Sequence, residues 1–187
     1  MNDNVKILAI VGMSGSGKSV VVDYLTKKGL PKIYFGGMIL KEMEKRGIER
    51  TAASERDFRE QIRREEGNDW VVRQVIDETH DLIDAGQKRI VLDGVYSWTE
   101  YVALKHEFPG ELTFVAVVVD KKTRFKRVGA RTERPFNTEE IQDRDRTEIE
   151  NLEKGGPIAA ADYYVFNNGT LEDLQNRVDE ILKEISF

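Results

Sequence analysis

The chain has 187 residues, 40% of them hydrophobic and 34% charged, the composition of one globular domain large enough to bury a core without staples. It has no cysteine, which excludes disulfides and thiolate metal sites and makes a reducing cytoplasm the expected compartment. The net charge of −5 argues against general nucleic-acid binding, Met1-Asn2-Asp3-Asn4 lacks the basic start of a signal peptide, and the longest apolar runs are too short to span a membrane.

Lys6 to Val11 is short, β-branched and almost wholly apolar, the pattern of a strand buried on both faces of a parallel sheet. Lys18 to Lys28 carries apolar residues at helical spacing and ends at Gly29 and Pro31. Ile33 to Phe35 is a short strand, and Met38 to Arg46 an amphipathic helix stopped by Gly47. Ser54 to Glu66, capped by Ser54, and Asp69 to Ala85 are two further helices. Arg89 to Leu92 is a third strand, Ser97 to Phe108 a helix and Thr113 to Val119 a fourth strand. Lys121 to Ala130 is helical and is followed by a loop around Pro135. Thr138 to Lys154 is a charged helix ended by Gly155-Gly156-Pro157. Tyr163 to Phe166 is the fifth strand, and Thr170 to Ser186 the last helix, with Thr170 and Asp173 as a capping box. Alternating strands and helices imply a mostly parallel sheet with helices on both faces.

Gly12-Met13-Ser14-Gly15-Ser16-Gly17-Lys18-Ser19 fits G-x-x-x-x-G-K-[ST] at every position, after a buried strand and before a helix. Glycines let the backbone wrap phosphate oxygens with N–H groups turned inward. The positive end of the following helix faces the same anion. Lys18 is expected to reach the β- and γ-phosphates of ATP, and the Ser19 hydroxyl to ligate Mg²⁺.

Asp93-Gly94 closes the run Ile90-Val91-Leu92, which puts a carboxylate at the carboxyl end of a buried strand, where open α/β sheets bind ligands. Alone this is an ordinary turn; beside a phosphate loop, Asp93 is expected to hold Mg²⁺ or its water shell. From Lys121 to Arg134 the chain carries seven basic residues, with Arg144 and Arg146 beyond. Arg127 and Arg131 share a helical face. Two or three of these arginines are expected to touch phosphate, and the rest to form a solvated face.

These features together resemble a nucleoside monophosphate kinase of the adenylate-kinase type, in a branch known mainly from archaea. The resemblance spans the chain. It rests on the Gly12–Ser19 loop, Arg63 with Gly67, Asp93-Gly94, Glu100, Arg124 with Arg127 and Arg131, Arg144-Asp145, and Ala161-Asp162-Tyr163 leading to Asn167. It implies a three-layer P-loop NTPase fold: one domain over residues 1–187 with a five-stranded parallel sheet, a helical acceptor-binding insert at 36–87 and a short lid at 131–138. It implies that Arg131 clamps the transferring phosphoryl group with Arg144 nearby, that Arg127 lies on the donor side, and that Asn167 lies beside the donor base or else caps a turn.

The acceptor side departs from the family. Gly36-Gly37-Met38-Ile39-Leu40-Lys41 lacks the family's Asp and its arginine in register, and Tyr96 stands after Asp93-Gly94 where an arginine is usual. Gly37, Lys41 and Arg63 are the expected acceptor contacts. His80 and His106 are read as structural or solvated, and Trp70 and Trp98 as packing residues. The expected activity is ATP- and Mg²⁺-dependent phosphoryl transfer to a nucleoside or deoxynucleoside monophosphate, with no nucleic-acid or membrane partner and the oligomeric state open. Dephospho-CoA kinase is an alternative, but it needs a carboxylate base and Asp23 is expected on the wrong face of its helix. A nucleotide-binding regulator without rapid turnover is a third reading.

Overall fold

The computed structural model describes residues 4–132 and 135–187. Met1 to Asp3, part of the segment read for a signal peptide, lie outside the described residues. So do Glu133 and Arg134, which fall in the expected lid. Five strands, β1 (Lys6–Val11), β2 (Lys32–Tyr34), β3 (Arg89–Asp93), β4 (Leu112–Val118) and β5 (Tyr163–Phe166), form one parallel sheet in the order β2-β3-β1-β4-β5. The fold is the expected α/β arrangement. Each strand is matched by helix: α1 (Lys18–Lys27), α2 (Phe35–Lys45), α3 (Ala52–Glu66), α4 (Trp70–Asp84), α5 (Trp98–Glu107), α6 (Lys121–Gly129), α7 (Thr138–Glu150), α8 (Gly155–Ala159) and α9 (Leu171–Glu184).

Side chains of β1 alternate between two cores. Leu8 and Ile10 pack with Val21, Val22 and Leu25 of α1 and with Leu174, Val178 and Ile181 of α9. Ile7, Ala9 and Val11 pack on the opposite face with Met38, Val72, Val75 and Leu104 from α2, α4 and α5. Each fully buried aliphatic side chain contributes about 1.5–3 kcal/mol, so the two-sided burial of β1 fixes the central strand firmly. Its register pairs Ile10 with Asp93 and Val11 with Ala116. The chain therefore leaves β1 at the carboxyl edge of the sheet with Asp93 on one side and β4 on the other.

Of the boundaries that differ from the sequence reading, three change a cap or a connection. Phe35, read as the end of a strand, opens α2, whose first turn includes Gly36 and Gly37 with the Tyr34 ring against it: a Cβ at Gly36 would sit 2.4 Å from the Tyr34 hydroxyl. Thr51, not Ser54, caps α3, and Ser54 completes the capping box from the third position. The charged helix ends at Glu150 instead of Lys154. Glu153 takes a left-handed φ of 52°, the Lys154 N–H bonds the Glu148 carbonyl at 3.0 Å, and Gly155-Gly156-Pro157 opens α8 instead of only stopping α7. Pro157 is tolerated there because first-turn N–H groups have no helical partner. Among the described residues no helix is long and apolar enough to cross a membrane.

Candidate functional site

The phosphate loop is shaped by its glycines. Gly12, Gly15 and Gly17 have φ of 146°, 84° and 104°, and the loop is closed by a 3.1 Å bond from the Ser16 N–H to the Met13 carbonyl. Added Cβ atoms would strike the Val117 carbonyl at 2.4 Å from Gly12 and the Asn167 amide at 2.1 Å from Gly17. Among the described residues the N–H groups of Gly15, Gly17, Lys18 and Ser19 find no acceptor. No side chain caps α1, whereas α3, α5, α7 and α9 each carry a capping box. Open donors at the positive end of a helix form an anion nest. Ser14 and Ser16 are buried, and the Ser16 hydroxyl has no partner among the described residues.

Lys18 folds over this nest. Its ammonium donates to the carbonyls of Gly12 at 2.6 Å and Met13 at 3.2 Å. Burial, then the charge of Lys154, push its pKa down to about 7, against the pull of Glu148 and Asp93. Arg144 also lies within electrostatic reach of Lys18. Arg131 stands beside Arg144, and burial and that guanidinium push Arg131 below its ordinary value. Lys18 thus lies within electrostatic reach of Asp93 and Arg144, and Arg144 within reach of Arg131.

Asp93 is half-buried, and its oxygens accept no hydrogen bond among the described residues. Burial raises its pKa, opposed by Lys32 and Lys18, while Asp23 adds to the rise. Asp23, expected on the wrong face of α1, is exposed one turn from Ser19 and lies within electrostatic reach of Asp93. Among the described residues no three His, Cys, Asp or Glu side chains gather to hold a metal. The Ser19 hydroxyl and the unpaired Asp93 carboxylate are hard oxygen donors. They fit a Mg²⁺ ion that completes its shell with phosphate and water.

Other expected site residues serve the frame or lie apart. The buried Asn167 amide donates to the Ser16 carbonyl at 2.8 Å, so this side chain ties β5 to the loop. Asp162 accepts from the Phe114 N–H at 2.7 Å and from Lys105 at 3.0 Å. Arg127 lies on α6 with a buried Nη1 that has no partner among the described residues. Lys41 reaches Glu78 on α4 at 2.5 Å and is not brought to the phosphate-loop cluster. Gly37 lies against the Tyr34 ring, and exposed Arg63 acts electrostatically on buried Glu100.

Sequence reasoning missed Glu148 and Lys154. Both are buried and paired at 2.9 Å, and Glu148 also accepts from Arg144 Nε at 3.1 Å. The Lys154 ammonium lies 4.8 Å from the Tyr96 ring centroid. A lysine before Gly-Gly-Pro reads as a solvated helix end, and its partner six residues back is on no helical repeat. Trp98, read as a packing residue, is 40% exposed. It stacks on Tyr101 and lines a cleft of about 350 Å³ with Ile149, Glu153, Gly155 and Gly156.

A parallel β2-β3-β1-β4-β5 sheet with an open anion nest after β1 is the fold of the P-loop kinases. A crystal structure of TT1252 from Thermus thermophilus superposes with a TM-score of 0.67 at 21% identity, covering 97% of this chain and 98% of that one. Shikimate kinase from Bacteroides thetaiotaomicron does so with a TM-score of 0.61 at 14% identity, covering 95% and 98%. Both likenesses are of fold. The AAA domain family matches residues 8–152. A UPF0200 protein of Thermococcus onnurineus (strain NA1) is 33% identical over 182 residues, 96% of this chain and 97% of that protein. A UPF0200 protein of Methanosarcina barkeri (strain Fusaro / DSM 804) is 32% identical over 179 residues, 95% and 94% of the two. The chain belongs to the AAA domain family and, along nearly its whole length, to the UPF0200 proteins.

Proposed function

We propose that the protein transfers the γ-phosphoryl group of ATP to a nucleoside or deoxynucleoside monophosphate. The observation that carries this reading is Lys18 folded over an uncapped helix N-terminus with four backbone donors open among the described residues, with Arg144 within its electrostatic reach and Arg131 within reach of Arg144. Phosphoryl transfer asks a protein for positioning and charge neutralisation, and this site offers both.

In this reading Gly12 to Ser19 hold the β- and γ-phosphates, with Lys18 leaving its loop carbonyls for them. Ser19 and Asp93 hold Mg²⁺, which neutralises charge on the phosphate oxygens. An acceptor phosphate oxygen forms the new bond to the γ-phosphorus as the bond to the β-phosphate oxygen breaks, and that electron pair leaves with ADP. Arg131 and Arg144 stabilise the charge on the moving group. Arg127 and Asn167 serve the donor side. Residues 36–87 form the acceptor insert with Gly37 and Arg63, Lys41 joining them once released from Glu78, and residues 131–138 form the lid, all within one domain. The setting is intracellular, where ATP and Mg²⁺ are supplied.

Asp23 favours one alternative. A carboxylate on the face of α1 that approaches Asp93 is a base for a hydroxyl acceptor, as dephospho-CoA kinase requires. Incubation with MgATP and a panel of nucleoside monophosphates, deoxynucleoside monophosphates and dephospho-CoA, reading ADP, separates the two. ADP release driven by a monophosphate supports the lead reading. Release driven by dephospho-CoA alone transfers the assignment, and none with any acceptor removes the kinase function.

A further inference from the structure

We propose that Lys154 is a phosphate-contacting cation of the transfer site, held in reserve by Glu148 until the terminal phosphoryl group of a nucleoside triphosphate arrives. The ligand in this proposal comes from the phosphoryl-transfer reading; the residue and its partner come from the geometry.

Lys154 is 1% exposed, yet its ammonium makes one hydrogen bond among the described residues, to Glu148 Oε2. Glu148 is not its alone, because the other oxygen accepts from Arg144. One carboxylate therefore serves two cations. Lys18, close enough for Lys154 to lower its pKa, is satisfied by carbonyls and is a third cation in its protonated form. Counting Arg131, four cations lie among three carboxylates, Glu148, Asp93 and Asp145, and Asp145 is already held by Arg124. Arg144 and Arg131 reach solvent, but Lys154 is buried, and a buried ammonium whose one carboxylate is shared is costly unless a counter-ion completes the set. The surplus here is positive and lies beside the anion nest, so the missing component is a polyanion.

The placement of Lys154 sets which part of the polyanion it meets. The Lys154 ammonium lies over the Tyr96 ring, on the turn after β3, and within electrostatic reach of Lys18 on the phosphate loop. Tyr96 is itself buried, and burial pushes its hydroxyl up, so it stays a neutral floor and brings no competing negative charge. In the phosphoryl-transfer reading Lys18 meets the β- and γ-phosphates, so a second cation within its electrostatic reach meets that same end of the polyphosphate. A lysine's four-carbon stem gives its ammonium the reach to leave Glu148 for a phosphate oxygen. Glu148 then keeps Arg144 aligned. A purely structural Glu148–Lys154 pair would instead leave ligand preference unchanged when broken.

The test titrates MgATP and MgADP into wild type, Lys154→Met and Lys154→Arg by calorimetry, with melting temperatures recorded alongside. The expected result is that Lys154→Met weakens MgATP about tenfold, the loss of one charge-assisted contact, while MgADP changes less than about twofold. Lys154→Arg is expected to restore most of the ATP preference. Equal affinities in wild type and Lys154→Met, or parallel losses of both nucleotides, overturn the proposal. Should Lys154→Met not fold, the ¹⁵N side-chain resonance of Lys154 in wild-type protein gives the answer with Mg²⁺ and inorganic tripolyphosphate. A shift supports the contact, and an unmoved resonance at saturation overturns it. A wild type that binds neither nucleotide overturns the phosphoryl-transfer reading and this proposal with it. A wild type that binds both, with Lys154→Met indistinguishable, overturns this proposal alone.

Discussion

Arg124 and Asp145 form a two-point ion pair between α6 and α7, and the same guanidinium donates to the Ser14 carbonyl at 3.1 Å. Both side chains are largely buried, 9% and 15% exposed. The pair therefore fastens the arginine-bearing helices to the phosphate loop, and it holds Arg144, next to Asp145, at a fixed place relative to the nest.

Asp145→Ala is expected to destabilise the fold by about 3 kcal/mol, because it strands a buried guanidinium. Arg124→Met combined with Asp145→Ala is expected to recover part of that loss, since no unpaired charge remains. Urea unfolding of the two single variants and the double variant measures both the cost and the coupling.

Gly17→Ala is expected to cost more than Gly29→Ala, though both glycines have positive φ, 104° and 87°. A methyl at Gly29 meets open space, so only the backbone penalty of about 1 kcal/mol applies. At Gly17 the methyl would overlap the Asn167 amide and break its bond to Ser16. The expected loss there is about 2–3 kcal/mol, strain plus a stranded buried polar group. Thermal unfolding gives the difference, and nucleotide titration should show binding impaired in Gly17→Ala alone.

Acid stability should depend on Glu148. Burial pushes its carboxyl up, but Lys154 and Arg144 outweigh burial and hold it below the ordinary value of 4.5. A carboxylate lowered by folding contributes stability above its unfolded pKa, and that contribution is lost as pH falls through the folded value. Stability of the wild type is therefore expected to fall below about pH 4.5. Glu148→Gln, which does not titrate, should show a flatter acid limb in denaturation curves collected from pH 6 to pH 3.

Much of the frame was legible because it follows local rules. The β-branched run before Gly12 reads as a buried strand, and the loop's glycines, lysine and serine are required at fixed spacing. Asp93 was legible as a strand-end carboxylate, and the register that sets it opposite Ile10 accounts for its place beside the loop. The parts that depend on packing between distant elements were not. Lys41 turns to Glu78, 37 residues away, because α2 lies against α4. Lys154 is buried against Glu148 just after a left-handed residue, Glu153, which no helical repeat anticipates. Trp98 stays at the surface because Gly156, lacking a Cβ, lets its ring lie flat over the start of α8.

The central claim is that the nest from Met13 to Ser19 holds polyphosphate with Lys18 as its cation. Calorimetric titration of MgATP into wild type and Lys18→Ala tests it directly. Saturable binding by wild type, weakened about a hundredfold or more in a Lys18→Ala protein that melts normally, is the predicted result. A wild type that gives no saturable binding at millimolar MgATP, or a Lys18→Ala protein that binds it equally well, would contradict the account.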